Sequence, residues 1–363
     1  MKYGRTLQEL GTELIRQHSA KHDYQLDTAN LEMDYIADSN SHLLTMHNPF
    51  LNQQTIVGIN DIAHRQIGTH LGIPLRYYNK MREENPQLLS ANVNSWFKEQ
   101  PTTRMVRTLD GTARAFLSDR YRRIDNFEVA SAVLPIIADI PEARIESCEL
   151  TDERMYIKVV NPRLTADVVP GDVVQSGLII TNSEVGEGCV NIQPLLYRLV
   201  CTNGMVVADR QASSRTTHLG RGNIAGEDYS LYSSDTLIAD NNALMLKIRD
   251  TVRASTDLAR FQQSIDRMRT ARDAKITAKS IPQMIELTAS EFGFTKPESE
   301  GILQHLLRDE DLSLYGLANA VTRAAQDVKS YDRSTEMEAI GYSILTMPGS
   351  AWSRLNSTQT KKK

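Results

Sequence analysis

The dipeptide Asp110-Gly111 separates two runs of residues whose side chains alternate in period two, and this pattern constrains the fold more than any other feature of the chain. An Asp-Gly pair favours a two-residue β-turn, because both turn positions require a positive φ. The sequence therefore predicts a β-hairpin over 102–118. A two-residue turn also sets the register of the hairpin, and it places Arg107 directly opposite Arg114.

Two arginines that face each other repel by roughly 0.2 to 1 kcal/mol unless an anion lies between them. The surrounding segment 98–123 is basic, with seven Lys and Arg side chains against three acidic ones, in a chain whose net charge is −4. Aromatic residues lie among these cations, as in proteins that bind single-stranded nucleic acid by phosphate contacts and base stacking. The predicted nucleic-acid surface comprises Arg107, Arg114, Phe116, Arg120, Tyr121, Arg122 and Arg123. An equally open alternative is that carboxylates of neighbouring helices pair with these arginines.

Hydrophobic periodicity divides the chain into a mixed first part and a helical second part. In chain order, the prediction is helices over 60–99, the hairpin over 102–118, a sheet over 144–207, a loop or linker over 208–234, a helical region over 235–350 and a tail over 351–363. Residues 1–207 then form an α+β domain, in which the hairpin and the strands of 144–207 build a central antiparallel or mixed sheet flanked by helices. The C-terminal region is helical, and a long basic helix is predicted over 246–279.

The predicted helices between 64 and 83 match a helix-turn-helix motif. Apolar residues occupy its buried positions, Gly68 stands where a small side chain is required, and Gly72 lies in the turn before Pro74. The exposed side of the second helix would present Arg76, Tyr77, Asn79 and Lys80. This pattern predicts a second nucleic-acid surface, which would read duplex DNA.

Two strand-to-turn segments place polar side chains at the ends of the predicted sheet. The residues that form a candidate site there are Asn182, Ser183, Glu184, Arg198 and Asn203. An active site is expected if both turns meet at one end of the sheet, where Arg198 would bind a phosphate, although hydrogen bonds to the local backbone are the more frequent role of such residues. Because the sequence has no Walker, HExxH or GxSxG motif, a binding protein is favoured over an enzyme, and no catalytic residue is assigned.

The cysteine and histidine patterns favour a protein without a bound metal or other cofactor. The three cysteines are too far apart in sequence for a structural zinc site, and their odd number argues against a disulfide framework. They are therefore predicted to be reduced thiols of a cytoplasmic protein. The sequence shows neither a signal-peptide pattern nor an apolar run of about 20 residues, so no contact with a membrane is expected.

The C-terminal region indicates two further kinds of partner. An acidic group would suit a host protein that the chain binds and blocks, and it comprises Glu298, Glu300, Asp309, Glu310 and Asp311. A set of aliphatic side chains exceeds what two short helices need on one side, namely Leu303, Leu306, Leu307, Leu314, Leu317 and Val321. This surplus predicts a homo-oligomer, although burial within one subunit explains it equally well.

Three motifs, in this order along the chain, resemble those of a known family: Arg114–Arg122, Asn182–Gly186 and Cys201–Met205. They are similar to the phage- and plasmid-like family catalogued as domain of unknown function number nine hundred and thirty-two, over roughly 37–347. The resemblance implies an origin in a phage, a plasmid or an integrated relative, and thus the cytoplasm of a host cell. It implies no catalytic residue, because the family has no agreed active site.

Together these observations predict a non-enzymatic nucleic-acid-binding protein of a phage or plasmid, which binds or anneals single-stranded DNA in recombination or replication. Two alternatives stay open. One is a phage factor that binds and blocks a host protein, and the other is a regulator that reads duplex DNA through 64–83.

Overall fold

The computed structural model describes residues 1–49, 51–207, 214–216, 234–254 and 257–357. Within these ranges the chain has two β-sheets and twelve α-helices, which confirms the predicted α+β fold. The C-terminal region is helical, as the periodicity predicts. None of the described helices is long and apolar enough to cross a membrane.

The N-terminal sheet is a mixed sheet of six strands that contains the predicted hairpin. In the order of their hydrogen bonding, the strands are β1 (Lys21–Asp27), β5 (Thr103–Leu109), β6 (Thr112–Ser118), β4 (Gln53–Ile59), β3 (Ser41–Asn48) and β2 (Leu31–Ile36). Strands β4 and β6 are parallel, and the other neighbours are antiparallel. The helices packed on one face are α2 (Asp61–His70), α3 (Leu75–Glu84) and α4 (Pro86–Glu99). They confirm the short helices predicted over 60–99.

The central sheet is antiparallel and runs in the order β11-β10-β9-β8-β7. Its strands are β7 (Arg144–Leu150), β8 (Met155–Asp167), β9 (Val173–Asn182), β10 (Val190–Arg198) and β11 (Asn203–Val206), and a short β12 (Ser214–Thr216) also pairs with β10. One face is covered by α1 (Leu7–Ala20), α5 (Asn126–Asp139) and α6 (Ser234–Ala254).

The remaining helices form a further large hydrophobic core, which also contains side chains of β9, β10 and β11. They are α7 (Leu258–Asp273), α8 (Ile281–Phe292), α9 (Lys296–Asp309), α10 (Leu314–Ala324), α11 (Tyr331–Leu345) and α12 (Gly349–Asn356). Tyr331 of α11 also packs against the face of the central sheet opposite α1 and α5. The predicted C-terminal helical region is therefore packed directly on the sheet.

The predicted placement of the hairpin in the central sheet is wrong, because the hairpin belongs to the N-terminal sheet. Its two outer edges pair with β1 and β4, so neither edge is left for the strands of 144–207. The sequence of β1, KHDYQLD, is mostly polar, and periodicity alone does not predict this strand. The polar strand β1 thus pairs with the hairpin edge that was predicted to pair with the strands of 144–207.

The hairpin turn is confirmed, with a φ of 49° at Asp110 and 72° at Gly111. The predicted register is wrong beyond the pairs next to the turn. The pairing shifts by one residue, so that Arg107 pairs with Ala115, and Arg114 is the extra residue of a β-bulge. The two arginines are therefore not opposite each other, and the bulge removes the repulsion that the ideal register implies.

The helix predicted over 246–279 is two helices rather than one. Helix α6 ends at Ala254, and α7 begins after Asp257. The carboxylate of Asp257 accepts hydrogen bonds from the first free N–H groups of α7, at 2.8 and 3.3 Å, and therefore caps a new helix. Most of the predicted linker, 208–234, lies outside the described residues.

The C-terminal helices bury most of the aliphatic side chains that predicted a homo-oligomer. Leu306, Leu314, Leu317 and Val321 are buried, Leu303 is partly buried, and Leu307 is 51% exposed. Helix α12 extends into the predicted tail, 351–363, and buries Trp352 and Leu355. Packing within one chain thus accounts for the apolar surplus, and oligomerisation stays a prediction.

Candidate functional site

The junction between the two sheets is a buried cluster of charged side chains around Arg107. This side chain is 0% exposed, and its guanidinium donates to the carboxylates of Asp23 on β1 and Asp125 before α5, each at 2.7 Å. It also donates to the backbone carbonyl of Glu184, in the turn after β9, at 3.0 Å. Burial lowers the pKa of the guanidinium, but Asp125 and Asp23 outweigh burial and raise that pKa. Three segments that are distant in sequence therefore hold Arg107.

The second arginine of the hairpin, Arg114, donates to the side-chain carboxylate of Glu184. The other oxygen of this carboxylate accepts the backbone N–H of Asn126, the first residue of α5, at 2.6 Å. A carboxylate is favourable at this position, because the N-terminus of a helix carries a partial positive charge. We call Asp23, Arg107, Arg114, Asp125 and Glu184 the junction cluster.

Polar atoms of the turn after β9 complete the junction. The side-chain amide of Asn182 donates to the carbonyl of Ile124 at 3.0 Å and to the side-chain oxygen of Asn126 at 2.9 Å. The hydroxyl of Tyr121 donates to the backbone carbonyl of Ser183 at 3.0 Å, and burial raises the pKa of this tyrosine. Two of the motifs that resemble the family, one that begins in β6 and one that begins at the end of β9, therefore meet in space.

The charges of the junction cluster are balanced within the protein. Burial raises the pKa of Asp125, but Arg107 and Lys21 outweigh burial and lower that pKa to about 2. Lys21, the first residue of β1, also pairs with the carboxylate of Asp125. The two arginines and this lysine thus face the three carboxylates of the cluster. No excess positive charge remains among these side chains for a polyanion.

The structure separates the seven predicted nucleic-acid residues into a buried group and a surface group. The buried group consists of Arg107, Arg114, Phe116 and Tyr121. Outside this group, Arg122 is partly buried and pairs with Asp240 of α6 at 2.8 Å, whereas Arg120 and Arg123 are exposed and Arg123 lies 3.8 Å from Asp23. The seven residues therefore do not form one continuous exposed surface. Carboxylates pair with the two hairpin arginines, but they come from a strand, a helix cap and a turn rather than from helices.

The candidate site residues Arg198 and Asn203 lie at the opposite end of the central sheet from Asn182. The separation along β10 is roughly 24 Å, given the rise per residue of a strand. Arg198 forms two hydrogen bonds with Asp172, and Asn203 donates to the hydroxyl of Thr322. The condition for an active site, that both turns meet at one end of the sheet, is not met, because the turns follow β9 and β10, which are antiparallel neighbours.

Helices α2 and α3 form the helical hairpin that the helix-turn-helix pattern predicts. Gly72 has a φ of 66° in the turn, and Gly68 lies against the ring of Tyr78, where an added Cβ atom would approach within 2.8 Å. The apolar positions face the core, with Ile67, Tyr78 and Met81 buried and Leu71 and Ile73 partly buried. The predicted reading face is exposed at all four positions, which are Arg76, Tyr77, Asn79 and Lys80.

A cavity of about 570 Å³ lies between α2, α3 and the β2–β3 turn, and we call it the α2–α3 cavity. Its walls include Asn40, His42, Asp61, His64, Asn79 and Arg82. Sequence patterns do not indicate this site, because its two histidines come from β3 and α2 and share no recognisable motif. Across the described ranges, no three or more His, Cys, Asp or Glu side chains are grouped so that they could hold a metal ion.

The acidic group predicted to contact a host protein is partly neutralised. Glu298 pairs with Arg333 at 2.8 Å, and Asp311 pairs with Arg272 at 3.4 Å. The other three members, Glu300, Asp309 and Glu310, are exposed. A host-protein partner stays a prediction that depends on these three carboxylates.

These features define an α+β protein whose two sheets are joined by a buried arginine–carboxylate cluster. The chain belongs to the family described as Domain of unknown function (DUF932), whose model matches residues 115–360. The match begins in β6, and therefore contains Asp125 and Glu184 but neither Arg107 nor the α2–α3 hairpin. No curated protein and no solved structure matches the chain. The family description assigns no activity, and the phage or plasmid origin stays a prediction.

Proposed function

We propose that this protein binds duplex DNA through the exposed face of α3, with α2 lying across the sugar-phosphate backbone. The observation that carries the proposal is the division of the helical hairpin into two faces. Its apolar positions pack toward the core, whereas Arg76, Tyr77, Asn79 and Lys80 are exposed to solvent. In helix-turn-helix proteins, the second helix enters the major groove with its exposed side chains toward the base edges.

The exposed side chains of α3 have the chemistry that a DNA groove requires. Arg76 and Lys80 lie one helical turn apart and would contact phosphates or guanine edges, and Asn79 would pair with adenine. Lys80 lies 3.7 Å from Glu84, and the two side chains are 62% and 67% exposed. Such an exposed pair contributes only about 0.3 to 0.5 kcal/mol, so a phosphate can replace the carboxylate.

The junction cluster argues against binding of single strands at the hairpin. To reach a phosphate, Arg107 would have to leave Asp23 and Asp125, and both carboxylates would then stay largely buried without this cation. Removing one partner of a buried ion pair typically costs about 3 to 5 kcal/mol. Single-strand binding is therefore supported mainly by the exposed residues Arg120 and Arg123, and it stays a prediction.

Selection from a random pool of duplexes tests the proposal. We expect a defined motif to be enriched, because each wrong base pair in a specific complex costs about 1 to 3 kcal/mol. Replacing both cations, in Arg76→Gln with Lys80→Gln, should weaken binding to the enriched duplex about tenfold or more and reduce its salt dependence. The matched control is Lys98→Gln, which removes an exposed charge from α4 and should leave binding unchanged.

A pool without enrichment would contradict the proposal, and so would an equal loss of affinity in the double variant and in Lys98→Gln. Fluorescence anisotropy with a labelled single-stranded oligonucleotide, at low and moderate salt, separates the competing prediction. Salt-sensitive binding of single strands that is lost in Arg120→Gln with Arg123→Gln would favour the surface near the hairpin over α3.

A further inference from the structure

We propose that the α2–α3 cavity binds a nucleoside monophosphate unit, with the phosphate on Arg82 and the base near His42 and His64. Its volume of about 570 Å³ lies within the range typical of small-molecule sites. The inference goes beyond duplex binding and does not depend on it. A free nucleotide and a nucleotide extruded from a strand offer the same chemistry to the cavity.

The first histidine of the cavity, His42, is held in one tautomer by its neighbour. Its Nε2 atom lies 3.1 Å from the backbone carbonyl of Pro86, at the start of α4. Because a carbonyl oxygen only accepts hydrogen bonds, the proton of the neutral ring is on Nε2. The Nδ1 atom is then an acceptor. Burial lowers the pKa of His42, which favours this neutral form.

The second histidine, His64, is also neutral and is fixed by Tyr78. The side chain of His64 is buried, and its Nδ1 atom lies 2.9 Å from the hydroxyl oxygen of Tyr78. Burial, with a smaller effect of Arg82, lowers the pKa of His64 to about 3. The rings of His42 and His64 meet edge to face, with their centroids 5.4 Å apart. The cavity thus contains two rigid aromatic rings that are uncharged at neutral pH.

Neutral imidazoles and side-chain amides suit a heteroaromatic base better than a second anionic group. The imidazoles supply ring surfaces for stacking and nitrogen atoms for hydrogen bonds. Asn40 and Asn79 add amide groups, which can pair with the edge of a base. These groups discriminate by hydrogen-bond pattern, so the cavity is suited to a planar, polar ligand.

Arg82 is the cation of the cavity that can exchange its present partner for a phosphate. It lies 2.8 Å from Asp61, whose side chain is 85% exposed. An ion pair this exposed contributes little, whereas a guanidinium forms charge-assisted, bidentate hydrogen bonds with a phosphate. The other arginine in the cavity wall, Arg65, pairs with Glu187 at 2.6 Å. One exchangeable cation beside the carboxylates of Asp61 and Glu83 favours a monophosphate over a triphosphate.

Isothermal titration of the full-length protein tests the assignment. The ligands are the four ribonucleoside and four deoxyribonucleoside monophosphates, their nucleosides, a triphosphate and inorganic phosphate. We expect saturable binding that is strongest for a monophosphate. Arg82→Gln should weaken this binding about tenfold or more and leave nucleoside binding unchanged, since one charge-assisted contact is lost. Lys98→Gln is the control for the loss of an exposed charge.

Asp61→Asn provides a test that structural damage cannot imitate. This change removes the carboxylate that competes for Arg82, and it should strengthen monophosphate binding severalfold. A competition experiment shows whether the natural ligand is a free nucleotide or one extruded from a strand. The competitors are a duplex with one unpaired nucleotide and a fully paired duplex. Displacement of the bound monophosphate by the first duplex alone indicates an extruded nucleotide. If neither duplex competes, the ligand is a free nucleotide.

Four results would overturn the assignment: no saturable binding of any nucleotide at millimolar concentration, equal affinity for inorganic phosphate and nucleotides, equal losses in Arg82→Gln and Lys98→Gln, or weaker binding in Asp61→Asn. Duplex selection is a separate measurement, because Arg76, Tyr77 and Lys80 of the reading face do not line the cavity and only Asn79 belongs to both sites. Its failure would reject DNA reading and leave nucleotide binding standing, and the converse also holds.

Discussion

At the scale of single residues, Arg107 shows how partners that are distant in sequence determine the role of a side chain. Strand β1, the segment before α5 and the turn after β9 each supply it with an acceptor. The arginine therefore fastens the N-terminal sheet to the central sheet. Its burial excludes phosphate contact in this conformation, and its charge is matched by carboxylates rather than by a nucleic acid.

Removing the cation of the junction cluster should destabilise the fold strongly. Arg107→Met leaves Asp23 and Asp125 largely buried without their main partner, and we expect the free energy of unfolding to fall by about 3 to 5 kcal/mol. Urea denaturation followed by circular dichroism measures this change. The control is Arg120→Met, at an exposed side chain outside the cluster, which should change stability by less than about 0.5 kcal/mol. Similar stability of the two variants would show that the cluster contributes little.

The lowered pKa of Asp125 predicts a loss of stability in acid. The folded-state pKa of about 2 lies below the ordinary value of 3.8, so folding favours the charged form. This contribution, about 2 kcal/mol, is complete above the unfolded-state pKa and is lost as the pH falls from there toward 2. Urea denaturation at pH 5, 4 and 3 should show a smaller decline for Asp125→Asn than for the natural protein. The exposed control Asp152→Asn should follow the natural protein, and parallel curves for all three would refute the assignment.

At the scale of elements, the hairpin turn depends on a glycine in the left-handed region. Gly111 has a φ of 72°, and an added Cβ would meet no atom within 4 Å. Gly111→Ala should therefore destabilise the protein by about 1 kcal/mol through backbone strain alone. Gly11→Ala is a matched control inside α1, where an added Cβ also has open space and alanine should stabilise the helix by up to about 1 kcal/mol. The midpoint temperature of thermal unfolding should fall in Gly111→Ala and rise in Gly11→Ala, and shifts in the same direction would contradict this account.

A second buried ion pair joins β8 to α11. Lys158 and Glu338 are both 0% exposed and lie 2.6 Å apart, and the ammonium of Lys158 also lies 4.7 Å from the ring centre of Tyr331. The Oε1 atom of Glu338 has no hydrogen-bond partner among the described atoms. The desolvation cost of this pair is therefore only partly offset by its contacts.

Removing one member of this ion pair should lower the free energy of unfolding more than removing both members. We expect Lys158→Met to lower the free energy of unfolding by about 3 to 5 kcal/mol, because it leaves a buried carboxylate without a cation. Combining it with Glu338→Leu should restore most of that loss, since neither charge of the pair then remains. Chemical denaturation of the two single variants and the double variant measures the coupling. A double variant as unstable as Lys158→Met would show that packing, not charge, is responsible.

At the scale of the whole molecule, two sheets and three groups of helices are held together by polar and apolar contacts at the sheet junction and by apolar contacts at the C-terminal helices. A homo-oligomer is predicted from the aliphatic side chains of the C-terminal helices, and Leu307 is the exposed member of that group. Light scattering at micromolar concentration, with and without an oligonucleotide, checks this prediction. A mass near 40.8 kDa in both conditions would contradict it.

Sequence patterns predicted the elements whose signals are local. The Asp110-Gly111 turn and the α2–α3 hairpin both depend on residues a few positions apart. The exposed face of α3 was also predictable, because helical periodicity assigns each residue to a face. The α2–α3 cavity was not predictable, since β3, α2 and α3 contribute its side chains and no short motif connects His42 to His64.

The sequence by itself determined the fold class, most of the helices, the hairpin turn and the membership of the family, because each depends on periodicity or on short motifs. Only the tertiary structure decided what the hairpin arginines do. A one-residue bulge changed their register, and acceptors from β1, the cap of α5 and the turn after β9 enclosed them. Whether an arginine meets a phosphate or a carboxylate depends on its burial and its neighbours, and both are set by contacts between segments that no local pattern relates.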